Sequence, residues 1–376
     1  MPEIWLQYGT TDIALDIRFE NLYKEITPRV SSLPEDQINY RLQDVPLKDN
    51  ILIIVFSSTV ATKRVLSPLL EIATNKGANC QIITPPKLRQ SYNTGNEKWI
   101  PNSLSLSDMV ELKEKMAKFD QTLFVTHSLY DPLFGFEGIP SHLLRNFMKD
   151  KMSEAISLRS SDMPCPGSFT EPYRLALSLS MDIDAVSLEF LGDSNQIYDI
   201  CWGSIEESSK YTSSKLVENA NREHQTVKSE ILSPGREPIY HATLADSLNS
   251  LWNCIGMLSR NGSPILLSES RKGLGSKALE MFVEKRFPDH SSTKDGKYID
   301  GQEQLIFLEA ARQKYNVGIV STLPNYYLAS KLGFETYDSL KQALANLLSR
   351  HGKTHKVALV SDAQFTLSLI DPDSKG

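Results

Sequence analysis

The stretch Asn50-Ile51-Leu52-Ile53-Ile54-Val55-Phe56 is a continuous apolar run of the length of one strand. An apolar run without polar alternation is typical of a strand that is covered on both faces, as in parallel sheets. A polar loop, Ser57-Ser58-Thr59, follows it, and Ser67-Pro68 suits the start of a helix that Gly77 can end. Residues 78–84 form the next predicted strand. This strand–helix–strand order predicts a right-handed parallel crossover.

Strand patterns alternate with helix patterns in both halves of the chain. Apolar residues at every second position on either side of Gly9 predict an N-terminal hairpin. Residues 229–240, with two prolines and a glycine, are typical of a linker, which predicts domains at residues 1–240 and 241–376. The predicted fold class is therefore α/β, with two domains that are each a largely parallel sheet flanked by helices.

The overall composition is ordinary for a soluble globular protein. The chain has 376 residues, of which 40% are hydrophobic and 23% charged, and this length suggests two domains. Forty basic and 46 acidic side chains give a net charge of -6, and the basic ones are scattered, which argues against a nucleic-acid partner. No apolar run approaches the roughly 18 residues of a membrane helix, and Met1-Pro2-Glu3-Ile4-Trp5 has no signal pattern. We therefore predict a cytoplasmic protein without a membrane partner.

A glycine turn is the strongest candidate for a ligand site. It lies in Tyr130-Asp131-Pro132-Leu133-Phe134-Gly135-Phe136-Glu137-Gly138-Ile139-Pro140-Ser141-His142, between an apolar strand pattern and a leucine-rich helix pattern. Glycine lets the backbone approach a ligand, and a helix start offers N–H groups to anions. Asp131 can act as a base or as a metal ligand, with His127 or His142 nearby. The alternative is that Asp131 before Pro132 only begins a turn and that His142 only lies in the first turn of a helix. No ligand trio with the spacing of a metal site appears.

Two pairs of basic residues lie at predicted strand-to-helix junctions. Arg271 and Lys272 lie in a glycine-flanked loop, and Lys63 and Arg64 follow the first long strand. Such positions suit the binding of a phosphate or a carboxylate. The alternative is that both pairs are solvated loop cations, which contribute little.

The glycine turn resembles a signature of the nickel-dependent lactate racemases, which is roughly His-x-x-x-Gly-Phe-x-Gly-Gly-Arg-Lys in that family. Gly135, Phe136 and Gly138 keep the frame of this signature. The order of predicted elements along nearly the whole chain, and segments 264–275 and 316–360, also resemble the family. The resemblance implies two α/β domains with a cleft between them. There a nickel pincer nucleotide takes hydride from the α-carbon of lactate, and two histidines act as acid and base.

The resemblance also assigns roles by position. An acid–base histidine of the family falls on Asp131, and the lysine that attaches the pincer nucleotide falls on Ser141. The nickel-ligand histidine falls within Ser153-Glu154-Ala155-Ile156-Ser157-Leu158, which offers no imidazole or thiolate for nickel. The family's Gly-x-His-Arg falls on Thr84-Pro85-Pro86-Lys87-Leu88-Arg89, where the second acid–base histidine is absent.

Two functional hypotheses follow. In the first, the chain is a divergent lactate racemase-like protein that binds a small anionic or nucleotide-type ligand in the interdomain cleft without the family's nickel chemistry. Its candidate ligand-binding residues are Lys63, Arg64, Gly135, Gly138, Ser141, Arg271 and Lys272. In the second, it is an active 2-hydroxy-acid racemase or epimerase, an isomerase with an altered site in which Asp131 and His142 are catalytic. The nickel pincer nucleotide is the cofactor that the family implies, and Ser141 replaces its attachment lysine.

Overall fold

The computed structural model describes residues 3–28, 30–92, 101–103, 106, 108–288 and 297–371. In chain order its strands are β1 (Glu3–Tyr8), β2 (Thr11–Asp16), β3 (Leu22–Ile26), β4 (Asn50–Val55), β5 (Asn79–Thr84), β6 (Asn102–Ser103), β7 (Gln121–His127), β8 (Leu129–Asp131), β9 (Gly135–Glu137), β10 (Val186–Gly192), β11 (Ile197–Gly203), β12 (Asn221–Glu223), β13 (Val227–Leu232), β14 (Leu258–Leu267), β15 (Gly318–Val320), β16 (Glu335–Tyr337), β17 (Val357–Val360) and β18 (Ser368–Ile370).

The helices follow the same order, and a π-helix covers Tyr326–Lys331. The α-helices are α1 (Glu35–Gln43), α2 (Val60–Asn75), α3 (Pro86–Tyr92), α4 (Met109–Met116), α5 (Ile139–Phe147), α6 (Lys149–Ser157), α7 (Glu171–Ser180), α8 (Ile205–Glu218), α9 (Ile239–Ala242), α10 (Leu244–Cys254), α11 (Lys277–Val283), α12 (Gln302–Arg312) and α13 (Leu340–His351). Within the described ranges, no helix combines the length and the apolar character needed to cross a bilayer.

The chain forms two compact units, and each combines a mainly parallel sheet with flanking helices, as the predicted α/β class requires. The terminal unit consists of Met1–Arg29, Ser160–Pro166 and Asn219–Gly376. The central unit consists of Val30–Arg159 and Gly167–Glu218. Both units are therefore discontinuous in sequence.

The central unit is built on a six-stranded sheet in the order β11-β10-β7-β4-β5-β6. All neighbouring strands are parallel except β10 and β11. The apolar run at residues 50–56, which predicts a strand covered on both faces, forms β4. Its residues 51–55 are completely buried. On one face, Ile53 and Val55 share an apolar core with Leu42 of α1 and Leu69 of α2. The predicted parallel crossover from β4 through α2 to β5 is confirmed.

The terminal unit is built on a second six-stranded sheet, in the order β16-β15-β14-β13-β17-β3. Each neighbouring pair in it is parallel. The predicted N-terminal hairpin is β1 with β2, and its residues Leu6 and Leu15 belong to the same apolar core as Ile231 and Leu359 of the sheet.

The start of α2 differs from the prediction that Ser67-Pro68 begins it. The helix begins at Val60, because the Thr59 hydroxyl accepts the backbone N–H of Thr62 and caps the first turn. Pro68 therefore lies inside the helix, where it removes one backbone hydrogen bond. The helix tolerates this loss because its apolar face is buried against the sheet.

The predicted linker at residues 229–240 is partly a strand. Residues Val227–Leu232 form β13, which lies between β14 and β17, and Glu230 and Ile231 are completely buried. Residues 233–238, which contain Pro234 and Gly235, are a loop, and Ile239 and Tyr240 begin α9. Because β13 pairs with β14, and β3 pairs with β17, residues 1–29 and 219–240 belong to the same unit as the C-terminal part. The units therefore divide the chain differently from the predicted boundary at residue 240.

Candidate functional site

The sheet of the central unit has a position where the strand order reverses. Chain order leads from β4 outward to β5 and β6, and then returns to the other side of β4 with β7. In open α/β sheets, ligands bind outside the carboxyl ends of the strands at such a reversal. The segments at these ends are Ser57-Ser58-Thr59 after β4 and His127-Ser128 at the end of β7.

Six buried polar side chains form what we call the switch-point cluster: Ser57, Thr59, Thr62, Thr126, His127 and His142. His127 Nδ1 lies 3.2 Å from the Thr59 hydroxyl, which lies 2.8 Å from the Thr62 hydroxyl. The Ser57 hydroxyl lies 2.8 Å from that of Thr62 and accepts the His127 backbone N–H at 2.9 Å. These contacts tie the carboxyl ends of β4 and β7 to the first turn of α2.

The second imidazole of the cluster comes from α5. His142 Nε2 lies 3.0 Å from the Thr126 hydroxyl, and its ring stacks on Phe56 with centroids 5.0 Å apart. The His127 ring stacks on Phe190 at 4.9 Å. Burial lowers the pKa of His127 to about 4. Burial, and to a smaller extent the positive charge of Arg145, lowers the pKa of His142 to about 3. Both rings are therefore neutral at physiological pH.

The glycine turn joins β8 and β9 to the start of α5. Gly135 has φ +84°, and a Cβ atom there would lie 1.8 Å from the backbone oxygen of Ser168. The Gly167 N–H donates to the Gly135 carbonyl at 2.8 Å. A Cβ atom at Gly138 would lie 2.9 Å from Oε2 of Glu189. Both glycines are thus required by packing within the central unit.

Asp131 and Ser141 are both engaged within the glycine turn. Asp131 Oδ1 accepts the N–H groups of Leu133 and Phe134 at 2.8 and 2.7 Å, and Oδ2 accepts from Arg145 at 3.0 Å. The Ser141 hydroxyl accepts the Gly138 N–H at 3.0 Å and lies 2.9 Å from the Gly138 carbonyl oxygen. Asp131 therefore closes a turn and pairs with a cation, and Ser141 caps α5.

The predicted cationic residues have different surroundings. Lys63 lies over the Tyr92 ring at 6.0 Å, and Arg64 pairs with Glu35 and donates to the Asn195 carbonyl. In the terminal unit, Arg271 Nε lies 2.5 Å from Glu269 Oε1, and its side chain is 63% exposed. The central unit thus contains the predicted site residues between Lys63 and His142. The terminal unit contains the other two, Arg271 and the exposed Lys272.

Sequence reasoning missed a buried carboxylate beside the glycine turn. Glu189 of β10 is completely buried, and five hydroxyl groups lie within hydrogen-bonding distance of its carboxylate. Ser128 lies at 2.6 Å, Thr212 at 3.1 Å, Ser208 at 3.3 Å and Ser187 at 3.4 Å, and Ser209 is the fifth. A glutamate inside an apolar strand, followed by a helix with a hydroxyl-rich face, is the sequence signal that could have revealed it.

Metal-ligand chemistry is sparse. Across the described ranges, no group of three or more His, Cys, Asp and Glu side chains is arranged to hold a metal ion. The segment where the family resemblance places a nickel ligand is mostly α6, Lys149–Ser157, which has no histidine or cysteine.

The fold matches solved structures. The lactate racemase apoprotein from Thermoanaerobacterium thermosaccharolyticum matches with a TM-score of 0.73 and 17% identity, over 98% of this chain and 100% of that chain. A protein from Thermotoga maritima matches with a TM-score of 0.68 and 10% identity, over 90% of this chain and 99% of that chain. No protein-family model and no curated protein sequence matches. The chain therefore has a lactate racemase-like fold, and the predicted resemblance is confirmed at this level.

Proposed function

We propose that this protein is a divergent member of the lactate racemase-like family that binds a small anionic or nucleotide-type ligand without the family's nickel chemistry. The proposed site is in the central unit, at the carboxyl ends of β4 and β7. The observation that supports it is Ser58, whose hydroxyl is buried and makes no hydrogen bond to the rest of the described structure. A buried hydroxyl without a partner costs about 1–3 kcal/mol, which a ligand oxygen can offset.

The surroundings of Ser58 favour an anion. Ser58 directly precedes Thr59, the N-cap of the 16-residue helix α2, and the N-terminus of a helix favours negative charge. Lys63 lies one turn into the same helix. The neighbouring hydroxyls of Ser57 and Thr59 are held in place by the switch-point cluster. A phosphate or carboxylate oxygen therefore has a hydroxyl donor, a helix terminus and a cation within one segment.

The donor set does not fit the nickel pincer nucleotide. A serine at position 141 cannot form the linkage that the family's lysine forms, and its hydroxyl is used to cap α5. α6 supplies no imidazole or thiolate where the resemblance places a nickel ligand. We therefore derive no step that passes through this cofactor.

The alternative function is 2-hydroxy-acid racemisation or epimerisation by Asp131 and His142. It needs two groups that exchange a proton with the α-carbon of the substrate. The Asp131 carboxylate has three hydrogen-bond donors, one of them Arg145, and this favours a structural role. A pKa of about 3 also makes the His142 imidazole a weak base. These contacts are the reason why ligand binding is the preferred proposal.

Calorimetric titration of the full chain with inorganic phosphate, AMP and D- or L-lactate tests the proposal. We expect phosphate or AMP to bind, and Ser58→Ala to weaken that binding roughly tenfold or more, since a hydrogen bond to a charged group is lost. Ser178→Ala, an exposed serine of α7, is the matched control. The proposal fails if none of the ligands binds, or if Ser58→Ala binds as tightly as the original chain. Interconversion of D- and L-lactate by the purified protein would support the alternative.

A further inference from the structure

The terminal unit contains a cavity of about 230 Å³ between α11, α12 and the end of the π-helix. Leu305, Leu308 and Leu332 line it and are buried. Phe282 and Phe287 complete the apolar wall, and Phe282 is 39% exposed. A large apolar side chain that borders an open cavity provides surface that a ligand can cover.

The size of the cavity limits the ligand. Apolar cavities of about 150 Å³ stay dry and accept benzene. A volume of about 230 Å³ therefore leaves room for an aromatic ring or a branched aliphatic group with a short arm. A nucleotide is too large and too polar for these walls. The cavity also borders Leu332, which directly follows the π-helix, and such helices occur frequently at functional sites.

One side of the cavity is polar. Gln302, Glu309 and Arg312, all from α12, line it. The Arg312 guanidinium packs against the backbone of Gly333, where a Cβ atom would lie 1.9 Å from Cζ of the arginine. Only glycine leaves space for the guanidinium there, and its φ of +70° also favours glycine. Gly333 therefore keeps the guanidinium beside the cavity.

We propose that this cavity binds a small monocarboxylate with an aromatic or branched aliphatic body. The apolar walls accept the body, and the planar guanidinium of Arg312 forms two parallel hydrogen bonds with the carboxylate. Glu309, one turn before Arg312 on the same helix, also lines the cavity, so a ligand with one negative charge meets less repulsion there than a ligand with two. All lining residues belong to the terminal unit, so this site does not depend on the function proposed for the central unit.

Titration of the full chain with 3-phenylpropionate, 4-methylpentanoate and the neutral amide 3-phenylpropanamide tests the proposal. We expect 3-phenylpropionate to bind roughly tenfold or more tightly than its amide, because only the acid can pair with Arg312. Arg312→Gln should reduce the affinity for the acid to that for the amide and leave the amide unchanged. Arg260→Gln, an exposed arginine of β14 that does not line the cavity, is the matched control.

Two further readouts make the result decisive. Arg312→Lys keeps the charge but loses the planar fork, so we expect an intermediate affinity for 3-phenylpropionate, and circular dichroism verifies that each variant is folded. Ser58→Ala should leave 3-phenylpropionate binding unchanged, and Arg312→Gln should leave phosphate binding unchanged. The proposal is overturned if neither acid binds at millimolar concentration, or if the Arg312 variants bind the acid and the amide as the original chain does.

Discussion

The two buried imidazoles of the switch-point cluster make the stability of the central unit depend on pH. Burial lowers the pKa of His127 to about 4 and that of His142 to about 3, from an ordinary value of 6.5. Below pH 6.5 the unfolded chain therefore takes up protons that the folded chain does not bind. The free energy of unfolding is fully retained above pH 6.5 and falls as the pH decreases from there toward these lowered values.

His142→Gln should reduce this pH dependence. At pH 4.5 the lowered pKa of the buried His142 reduces the free energy of unfolding by about 3 kcal/mol relative to neutral pH, since one unit of pKa shift corresponds to about 1.4 kcal/mol. Glutamine has no titrating group, and its amide can replace the contact that Nε2 makes with Thr126. Urea unfolding at pH 7.5 and pH 4.5 measures the effect. His224→Gln, whose side chain is 88% exposed in the terminal unit, is the control. An equally steep loss of stability in His142→Gln would contradict the explanation.

Sequence spacing found His127, Asp131 and His142 because all three lie within one short segment around the glycines. It could not single out Ser58 or Glu189, because the burial that distinguishes them is produced by elements distant in sequence. Glu230 shows the same limit. It is completely buried in β13, neither carboxylate oxygen has a hydrogen-bond partner among the described residues, and burial raises its pKa well above the ordinary value. A glutamate followed by prolines and a glycine nevertheless predicts a solvated linker.

At the scale of single elements, the sequence predicts the glycine turn as a ligand loop, and the contacts of its glycines within the structure are packing contacts. Gly135→Ala should destabilise the protein by more than about 3 kcal/mol, because the added Cβ atom meets the Ser168 backbone oxygen in a left-handed conformation. Gly77→Ala is the matched control, with φ +79° and nothing within 4 Å of the added atom. Gly77→Ala should lower the free energy of unfolding by only about 1 kcal/mol. Equal unfolding midpoints in urea for both variants would rule out the steric explanation.

The elements that sequence patterns predicted well are those with a strong local signal. β4 is a continuous apolar run, and the β1–β2 hairpin has a regular alternation about Gly9, so both could be found without knowledge of their partners. The start of α2 could not be found in this way, because Ser67 and Pro68 have strong preferences for a helix start and lie inside the helix instead. The burial of the helix face and the cap at Thr59 outweigh those preferences.

At the scale of the whole molecule, strand pairing determines which parts of the chain form a folding unit. The central unit contains all six strands of its sheet and its own apolar core, and only residues 160–166 of its span belong to the terminal unit. The terminal unit needs both ends of the chain, because β3 pairs with β17, and β13 pairs with β14 and β17. A linear reading of the sequence cannot detect pairs so far apart along the chain.

A fragment of residues 30–218 should therefore fold alone, whereas a fragment of residues 1–240 should not fold completely. The shorter fragment keeps every strand of its sheet, so we expect a near-ultraviolet circular dichroism signal and a cooperative urea transition. The longer fragment also contains β3 and β13 without β14 and β17, which leaves Ile26 and Ile231 without their sheet neighbours. Exposed strand edges of this kind favour aggregation. We expect size-exclusion chromatography to show a monomer for residues 30–218 and larger species for residues 1–240. Equal behaviour of the two fragments would contradict the division into a central and a terminal unit.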